Sequence, residues 1–347
     1  MRVGLVGYAQ SGKSTLFNAL TGLSAQTGMG GRRSKANLGA IKVPDDRVDR
    51  LAAIYRPRKT TYAEVVFVDV PGPQGKGSGL DTSTLQALRE VDALVLVLRG
   101  FEAVDGTPAD AATEYADFET ELVLADLSIA ERRLARLRKE RGPELEIGAM
   151  QACVDQLERG EPLRTLSLTD QQWQSLCCYS FLSRRPLLAL FNGSETDVER
   201  PVPANVLEAT ERRQVSVLEV CAALEAEVAA LDPDEQAEFL TSLGVTEPAA
   251  ARLIRAAYQL LEYESFFTVG EDEVRAWTIR RGDKAPRAAG RIHSDLERGF
   301  IRAEVMPYAE FIEMGSEAAM KQCGKLRVEG KEYLVQDGDI LHVRFNV

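Results

Sequence analysis

The run Gly7-Tyr8-Ala9-Gln10-Ser11-Gly12-Lys13-Ser14 constrains this chain more than any other feature, because it fits G-x-x-x-x-G-K-S/T in full. It follows the apolar stretch Val3–Val6 and precedes the helix-compatible stretch Ser14–Leu20, so strand, turn and helix fall in the order the pattern requires. Glycines let the backbone curl until consecutive N–H groups point at a phosphate, and the helix start adds positive potential. Lys13 then reaches β- and γ-oxygens, and Ser14 offers an oxygen to Mg2+. Gly7, Gln10, Ser11, Gly12, Lys13, Ser14 and Thr15 are accordingly the candidate phosphate contacts.

A loop of this kind needs a buried sheet behind it. Val3–Val6, Val65–Val68, Ala93–Leu98, Leu187–Phe191 and Val215–Val220 are short apolar runs typical of strands buried on both faces, with helix-like segments between most of them. That alternation predicts an α/β fold with a mostly parallel sheet. From Phe118 a helical stripe runs through Leu122, Ala125 and Ile129 to Leu137, breaks at Gly142-Pro143, and resumes through Ile147, Met150, Val154 and Leu157. Two helices joined in this way predict an antiparallel helical hairpin inserted into the α/β domain. A further helix is expected to start at Thr169, with Gln172 placed for a capping box. After a helical stretch over 232–263, strand-like segments such as Val274–Ile279 and Leu341–Phe345 alternate with the turn signals Arg281-Gly282-Asp283 and Asp337-Gly338-Asp339, which predicts a small separate α+β module.

Two further segments extend the phosphate constellation. Asp69 closes the run Val65–Val68 within Asp69-Val70-Pro71-Gly72, where an acidic residue would hold Mg2+ through water and the Gly72 amide would sense the terminal phosphate. The tract from Gly72 to Gly79 carries Gly75 and Gly77 as well, and reads as a switch-like loop. Asn192-Gly193-Ser194-Glu195 follows a strand where a GTPase carries N-K-x-D for its base. Here the lysine is replaced by Gly193 and the aspartate by Glu195. An aspartate at that place accepts two hydrogen bonds from guanine, so the longer Glu195 weakens guanine selection and leaves adenine acceptable. Cys221-Ala222-Ala223, after the run Val215–Val220, falls where the last base-contacting loop belongs. An ordinary turn is the alternative for either segment.

Composition narrows the rest. The 347 residues hold 42 Lys and Arg against 53 Asp and Glu, a net charge of −11 that argues against uniform attraction to nucleic acid or anionic membrane. Two histidines, His293 and His342, and five cysteines without C-x-x-C spacing leave no zinc-like set. His293 reads as a surface turn and His342 as the outer face of a strand. Without a long apolar run or leader-like segment, a soluble cytoplasmic protein that enters no membrane is expected, its thiols reduced.

These residues together resemble the YchF family, the Obg-like ATPases within the translation-factor class of P-loop GTPases. The P-loop, Asp69-x-x-Gly72, Asn192-x-x-Glu195, the stretch Glu121-Leu122-Val123-Leu124-Ala125-Asp126-Leu127 and Cys221-Ala222-Ala223 occur in the family's order. Val274–Ile279, Ala288-Ala289-Gly290, Gly299–Ala303 and Val335–Asp339 resemble its TGS domain, a β-grasp module. The resemblance implies a G domain over 1–117 and 186–264, a helical insertion over 118–185 and a TGS domain over 265–347. It also implies nucleotide hydrolysis and association with the ribosome.

The chain departs from the family pattern at identifiable points. The P-loop reads Ala9-Gln10-Ser11 where the family has P-N-V, which undercuts any cation-binding role for that asparagine. Aligning on Asn37-Leu38-Gly39 puts Arg32, Arg33 and Ser34 where the family's first switch has its Mg2+-binding threonine, so the metal-closing contact is either missing or made by Ser34. At the position after Gly72 the chain keeps to the family pattern, Pro73 being an apolar residue in place of a water-orienting glutamine, and Gln74 comes one position late. Lys13, Ser14, Asp69, Gly72 and the loop amides thus neutralise charge while no side chain obviously places the water, so turnover is expected to be slow, with Gln74 as the candidate after rearrangement. Between Arg275 and Arg302 eight basic residues face three acidic ones, and Arg132, Arg133, Arg136, Arg138, Lys139 and Arg141 cluster near the hairpin tip. Both patches suit RNA phosphates. The expectation is a monomeric, Mg2+-dependent hydrolase preferring ATP to GTP. A GTP-selective switch and a module that holds nucleotide without hydrolysing it are the alternatives.

Overall fold

The computed structural model describes residues 1–22, 37–72, 79–195, 201–242 and 247–346. It divides into two compact units, Met1–Ile41 with Val66–Leu253, and Lys42–Val65 with Ile254–Val347.

The strands in chain order are β1 (Arg2–Gly7), β2 (Asn37–Lys42), β3 (Lys59–Thr61), β4 (Glu64–Asp69), β5 (Ala93–Arg99), β6 (Leu187–Asn192) and β7 (Ser216–Val220). These are followed by β8 (Tyr263–Thr268), β9 (Glu273–Arg280), β10 (Phe300–Pro307), β11 (Arg327–Glu329) and β12 (Asp339–Phe345). The first unit holds a sheet in the order β2-β4-β1-β5-β6-β7, with β4, β1, β5, β6 and β7 parallel throughout. Every residue of β5 and β6 is buried, as continuous apolar runs covered on both faces must be. The carboxyl ends of β1, β4, β6 and β7 carry Gly7, Asp69, Asn192 and Cys221, so the strands deliver the sequence-predicted motifs to one edge of the sheet.

Helix α1 (Lys13–Thr21) follows β1, α2 (Asp46–Tyr55) follows β2, and α3 (Thr82–Arg89) precedes β5. The hairpin is built from α4 (Ala111–Glu140) and α5 (Glu144–Glu158), with Arg141 at φ 53° ending the first and Pro143 opening the second. At a rise of 1.5 Å per residue, α4 is about 45 Å long. It starts ahead of the stripe read from Phe118 because the Asp110 side chain caps it by accepting from the Thr113 amide. The early turns, with Tyr115, Phe118 and Leu122, pack into the sheet's own core, and the later ones, with Ala130, Leu134 and Leu137, pack with Met150 and Cys153 in a second core. One helix therefore serves two cores. Fully buried Asp126 anchors the return of the chain, accepting from the amides of Leu182 and Ser183 and from the Ser183 hydroxyl. Helix α6 (Asp170–Ser175) begins at Thr169 with the expected capping box to Gln172. Helix α7 (Ala204–Glu211) follows β6, and α8 (Ala222–Ala230) follows β7.

The second unit is a sheet in the order β11-β10-β12-β8-β9-β3. Strands β8 and β9 form an antiparallel hairpin, β12 lies parallel to β8, and β10 runs antiparallel to β12. Helix Ala285–Ile292 covers one face through Ala285, Ala288 and Ala289 against Phe266, Ile279 and Leu341. That is the β-grasp expected of the carboxyl-terminal module. The segment 42–65, which the sequence offers no reason to place here, is part of it. β3 adds a parallel sixth strand to β9, Tyr55 stacks on Phe311 at 5.7 Å, and Arg47 bonds Asp337 at 2.7 Å.

Candidate functional site

The phosphate loop takes the shape its sequence demands. Gly7 ends β1, Gln10 lies at φ 63° and Gly12 at φ 84°, and the Ser11 amide turns back to the Tyr8 carbonyl at 3.2 Å. Helix α1 starts immediately after Gly12 with no side-chain cap at that residue, the kind of helix start at which an anion can meet backbone N–H groups. A side chain at Gly12 would lie 2.1 Å from Asn192 Nδ2, and one at Gly72 would lie 1.7 Å from the Gly7 carbonyl. Gly12 is thus required by its left-handed backbone and by the Asn192 side chain packed against it, and Gly72 by close backbone approach, the second motif sitting directly against Gly7 of the first.

Lys13 Nζ donates to Asp69 Oδ1, and the Asn37 amide donates to Asp69 Oδ2 at 3.2 Å. Asp69 is 2% exposed and the Lys13 side chain only slightly more, so the ion pair lies at the floor of the loop. Ser14 and Thr15 follow on the first turn of α1. The Ser14 hydroxyl and the Asp69 carboxylate, the two oxygen groups the sequence offers for a cation, are hard ligands of the kind that could hold an ion which keeps water and takes its remaining oxygens from phosphates. Ser11 is 1% exposed and its hydroxyl has no hydrogen-bond partner among the described residues.

Asn192 plays a part the sequence did not suggest. Its Nδ2 donates to the Ser11 carbonyl at 2.8 Å and its Oδ1 accepts from the Ala222 amide at 2.8 Å, with the residue 3% exposed. It ties the phosphate loop to the start of α8. Glu195 is exposed and close enough to act on Cys221, whose thiol is pushed up chiefly by burial and also by Glu195. Gly193 donates its amide to the Val220 carbonyl at 2.8 Å, holding the two base-side loops together.

Several neighbours escaped the sequence reading. Gln10 accepts from the Val104 amide at 3.3 Å, so the residue replacing the family asparagine spends its side-chain oxygen on the loop after β5. Helix α4 presents Glu114, Asp117 and Glu121 towards the same region. Glu114 accepts from the Arg99 amide at 3.1 Å and Glu121 from the Leu80 amide at 3.2 Å, while burial and these three acids push the Tyr8 phenol up. The spacing 114, 117, 121 places them on one helical face, a signal present in the sequence. Arg32, Arg33, Ser34, Pro73 and Gln74 lie outside the described residues.

Comparison with known proteins decides the family. The profile of the 50S ribosome-binding GTPase family matches residues 2–127, and YchF-GTPase_C, described as a protein of unknown function, matches residues 263–346. The ribosome-binding ATPase YchF of Pasteurella multocida is 41% identical over 361 residues, covering 100% of this chain and 99% of that protein. The chain belongs to the YchF family. The Bacillus subtilis ribosome-binding ATPase YchF is 38% identical, with 100% of each protein covered. The structure of the Schizosaccharomyces pombe YchF GTPase superimposes with a TM-score of 0.87 at 28% identity, covering 99% of this chain and 97% of that one.

The basic clusters of this YchF chain are partly neutralised. In the TGS unit Arg281 pairs with Glu264 at 2.8 Å and Arg287 with Glu297 at 3.7 Å, while Arg280, Arg291 and Arg302 form no ion pair among the described residues. On the hairpin Arg133 pairs with Glu146 at 3.0 Å and Arg136 with Glu140 at 2.8 Å, and Lys139 and Arg141 form none among the described residues. His342 approaches Glu317 at 3.2 Å, and His293 accepts the Asp295 amide between two short helices. Among the described residues no helix is long and apolar enough to cross a membrane.

Proposed function

We propose that this YchF chain is a P-loop ATPase that binds ATP with Mg2+, hydrolyses it slowly and works on the ribosome. The observation that carries the reading is the cradle formed by Gly7, Gly12, Lys13 and Gly72 above the buried Asp69 carboxylate, where added side chains would collide with backbone or with Asn192. Lys13 and the loop amides would meet the phosphates, Ser14 and Asp69 the metal, and bound Mg2+ would supply charge neutralisation across the transferred group. Thr15, Cys221 and Ala222 line the path towards the base, with Glu195 at its rim. Gln74 remains the candidate for placing water.

Glu195 and the missing lysine at Gly193 support adenine over guanine, in accord with the name ATPase carried by the bacterial relatives. The fission-yeast relative is described as a GTPase, so a GTP-selective switch is the second reading. The unpaired arginines of the TGS unit and the hairpin tip would meet ribosomal RNA phosphates, with the protein acting as a cytoplasmic monomer. Phosphate release from ATP and from GTP, with and without ribosomes, tests this directly. Release from ATP, accelerated by ribosomes, is expected. Release from GTP alone would establish the second reading, and tight binding without release from either would make occupancy the signal.

A further inference from the structure

We infer that Glu121 of α4 is a positioning residue for hydrolysis, holding the exit of the segment that follows Gly72 so that what binds the hairpin tip changes the rate. The inference rests on the ATPase and ribosome reading above and adds to it a residue that neither the phosphate loop nor the base-side loops contain.

The segment whose Gly72 amide would face the terminal phosphate is held where it enters and where it leaves. On entry, the Pro71 carbonyl accepts from the Thr84 hydroxyl of α3 at 3.0 Å, and Gly72 lies against the Gly7 carbonyl. On exit, the Leu80 amide donates to Glu121 Oε2 at 3.2 Å, and a side chain at Gly79 would lie 2.8 Å from the same oxygen. The Leu80 side chain is buried in the core that also holds Tyr115, Phe118 and Leu122 of α4. The entry is thus tied to α3 and the phosphate loop, and the exit to the first helix of the hairpin.

Helix α4 meets the nucleotide end at a second point. Glu114, about two turns earlier on the same face, accepts from the Arg99 amide at 3.1 Å where β5 ends, and the loop that follows gives its Val104 amide to Gln10 of the phosphate loop. From this base the helix runs unbroken to Lys139 and ends at Arg141, at the basic tip. Its early turns are packed in one core and its later turns in another, so it turns as one body, and a load at the tip reaches Glu121 as a change of place against Leu80. Of the two contacts, only the one at Leu80 belongs to the segment that includes Gly72. Glu121 can therefore alter hydrolysis without altering how Lys13 and the loop amides hold ATP. A carboxylate suits this task, because either oxygen can accept the Leu80 amide as the helix turns.

The test is single-turnover phosphate release from ATP in Mg2+, with and without ribosomes, for the full chain as wild type, Glu121→Ala and Glu121→Gln. ATP affinity, ribosome cosedimentation and thermal midpoint are recorded for each. Ribosomes are expected to accelerate release from wild type. In Glu121→Ala that acceleration should fall about tenfold, the scale of one hydrogen bond to a charged group, or vanish where it is smaller, while ATP affinity and cosedimentation stay within about twofold of wild type. Glu121→Gln keeps an acceptor for the Leu80 amide and should keep most of the acceleration. Undiminished acceleration in Glu121→Ala would overturn the inference. So would a collapse of its ATP affinity, cosedimentation or thermal midpoint, which would make Glu121 a structural residue, and so would a Glu121→Gln variant as unresponsive as the alanine one. Wild type that releases phosphate no faster with ribosomes than without them would instead remove the proposed function itself.

Discussion

The side-chain amide of Asn192 lies 2.8 Å from the carbonyl oxygen of Ser11, so the end of β6 holds the phosphate loop from behind. Residues far apart in the chain are joined by a buried side chain that also accepts the Ala222 amide. The asparagine of the base motif thus shapes the loop itself.

Replacing Asn192 by alanine leaves the Ser11 carbonyl and the Ala222 amide without their partner in a buried place. The expected cost is about 2–6 kcal/mol, since each of the two orphaned polar groups costs roughly 1–3 kcal/mol. Urea denaturation measures it. ATP and GTP affinity should fall together, because the loop and not the base contact is damaged, whereas a pure base-reading role would change only their ratio.

Ser11→Ala should act in the opposite direction. The hydroxyl is buried without a partner among the described residues, so removing it relieves a desolvation cost of roughly 0.5–1 kcal/mol while opening little space. A higher denaturation midpoint is expected. A lower midpoint would mean the hydroxyl has an unseen partner.

The pH profile follows from buried acids. Burial holds Glu114, Asp126 and Asp339 above the ordinary carboxylate range, so the folded chain binds their protons more tightly than the unfolded chain does. Stability from such groups is present at low pH and lost as pH rises through their folded values. Asp81 and Glu273 are held below their ordinary values, and their contribution is lost only on acidification through the low end of the range. Above the ordinary carboxylate values, roughly pH 4 to 4.5, the first set dominates, and the net charge of −11 adds self-repulsion as pH rises. Denaturation midpoints should therefore decline from pH 5 to pH 7. A rise over that interval would contradict these assignments.

What the sequence revealed and what it hid have physical reasons. The phosphate loop, the parallel strands and the hairpin were legible because each is written locally, in a glycine pattern, an apolar run or a helical stripe broken at Gly142-Pro143. The place of 42–65 was not, because β3 is three polar residues, Lys59-Thr60-Thr61, whose partner β9 lies more than two hundred residues on. Nothing in such a strand names its neighbour. Helix α2 does show Val48, Leu51 and Tyr55 at helical spacing, but not the surface they face. At the site, Lys13 and Asp69 could be found from motifs, while Asn37, Glu121 and the loop-holding role of Asn192 depend on side chains meeting across separate elements.

The central claim is that the loop Gly7–Ser14 holds a triphosphate through Lys13. Calorimetric titration of ATP in Mg2+ into wild type and Lys13→Ala, with thermal midpoints recorded alongside, tests it most directly. The account predicts a clear binding isotherm for wild type, a loss of at least about 100-fold in affinity for the variant, and midpoints within about 5 °C of each other. No heat from folded wild type with ATP or GTP, or equal affinity in the variant, would contradict it.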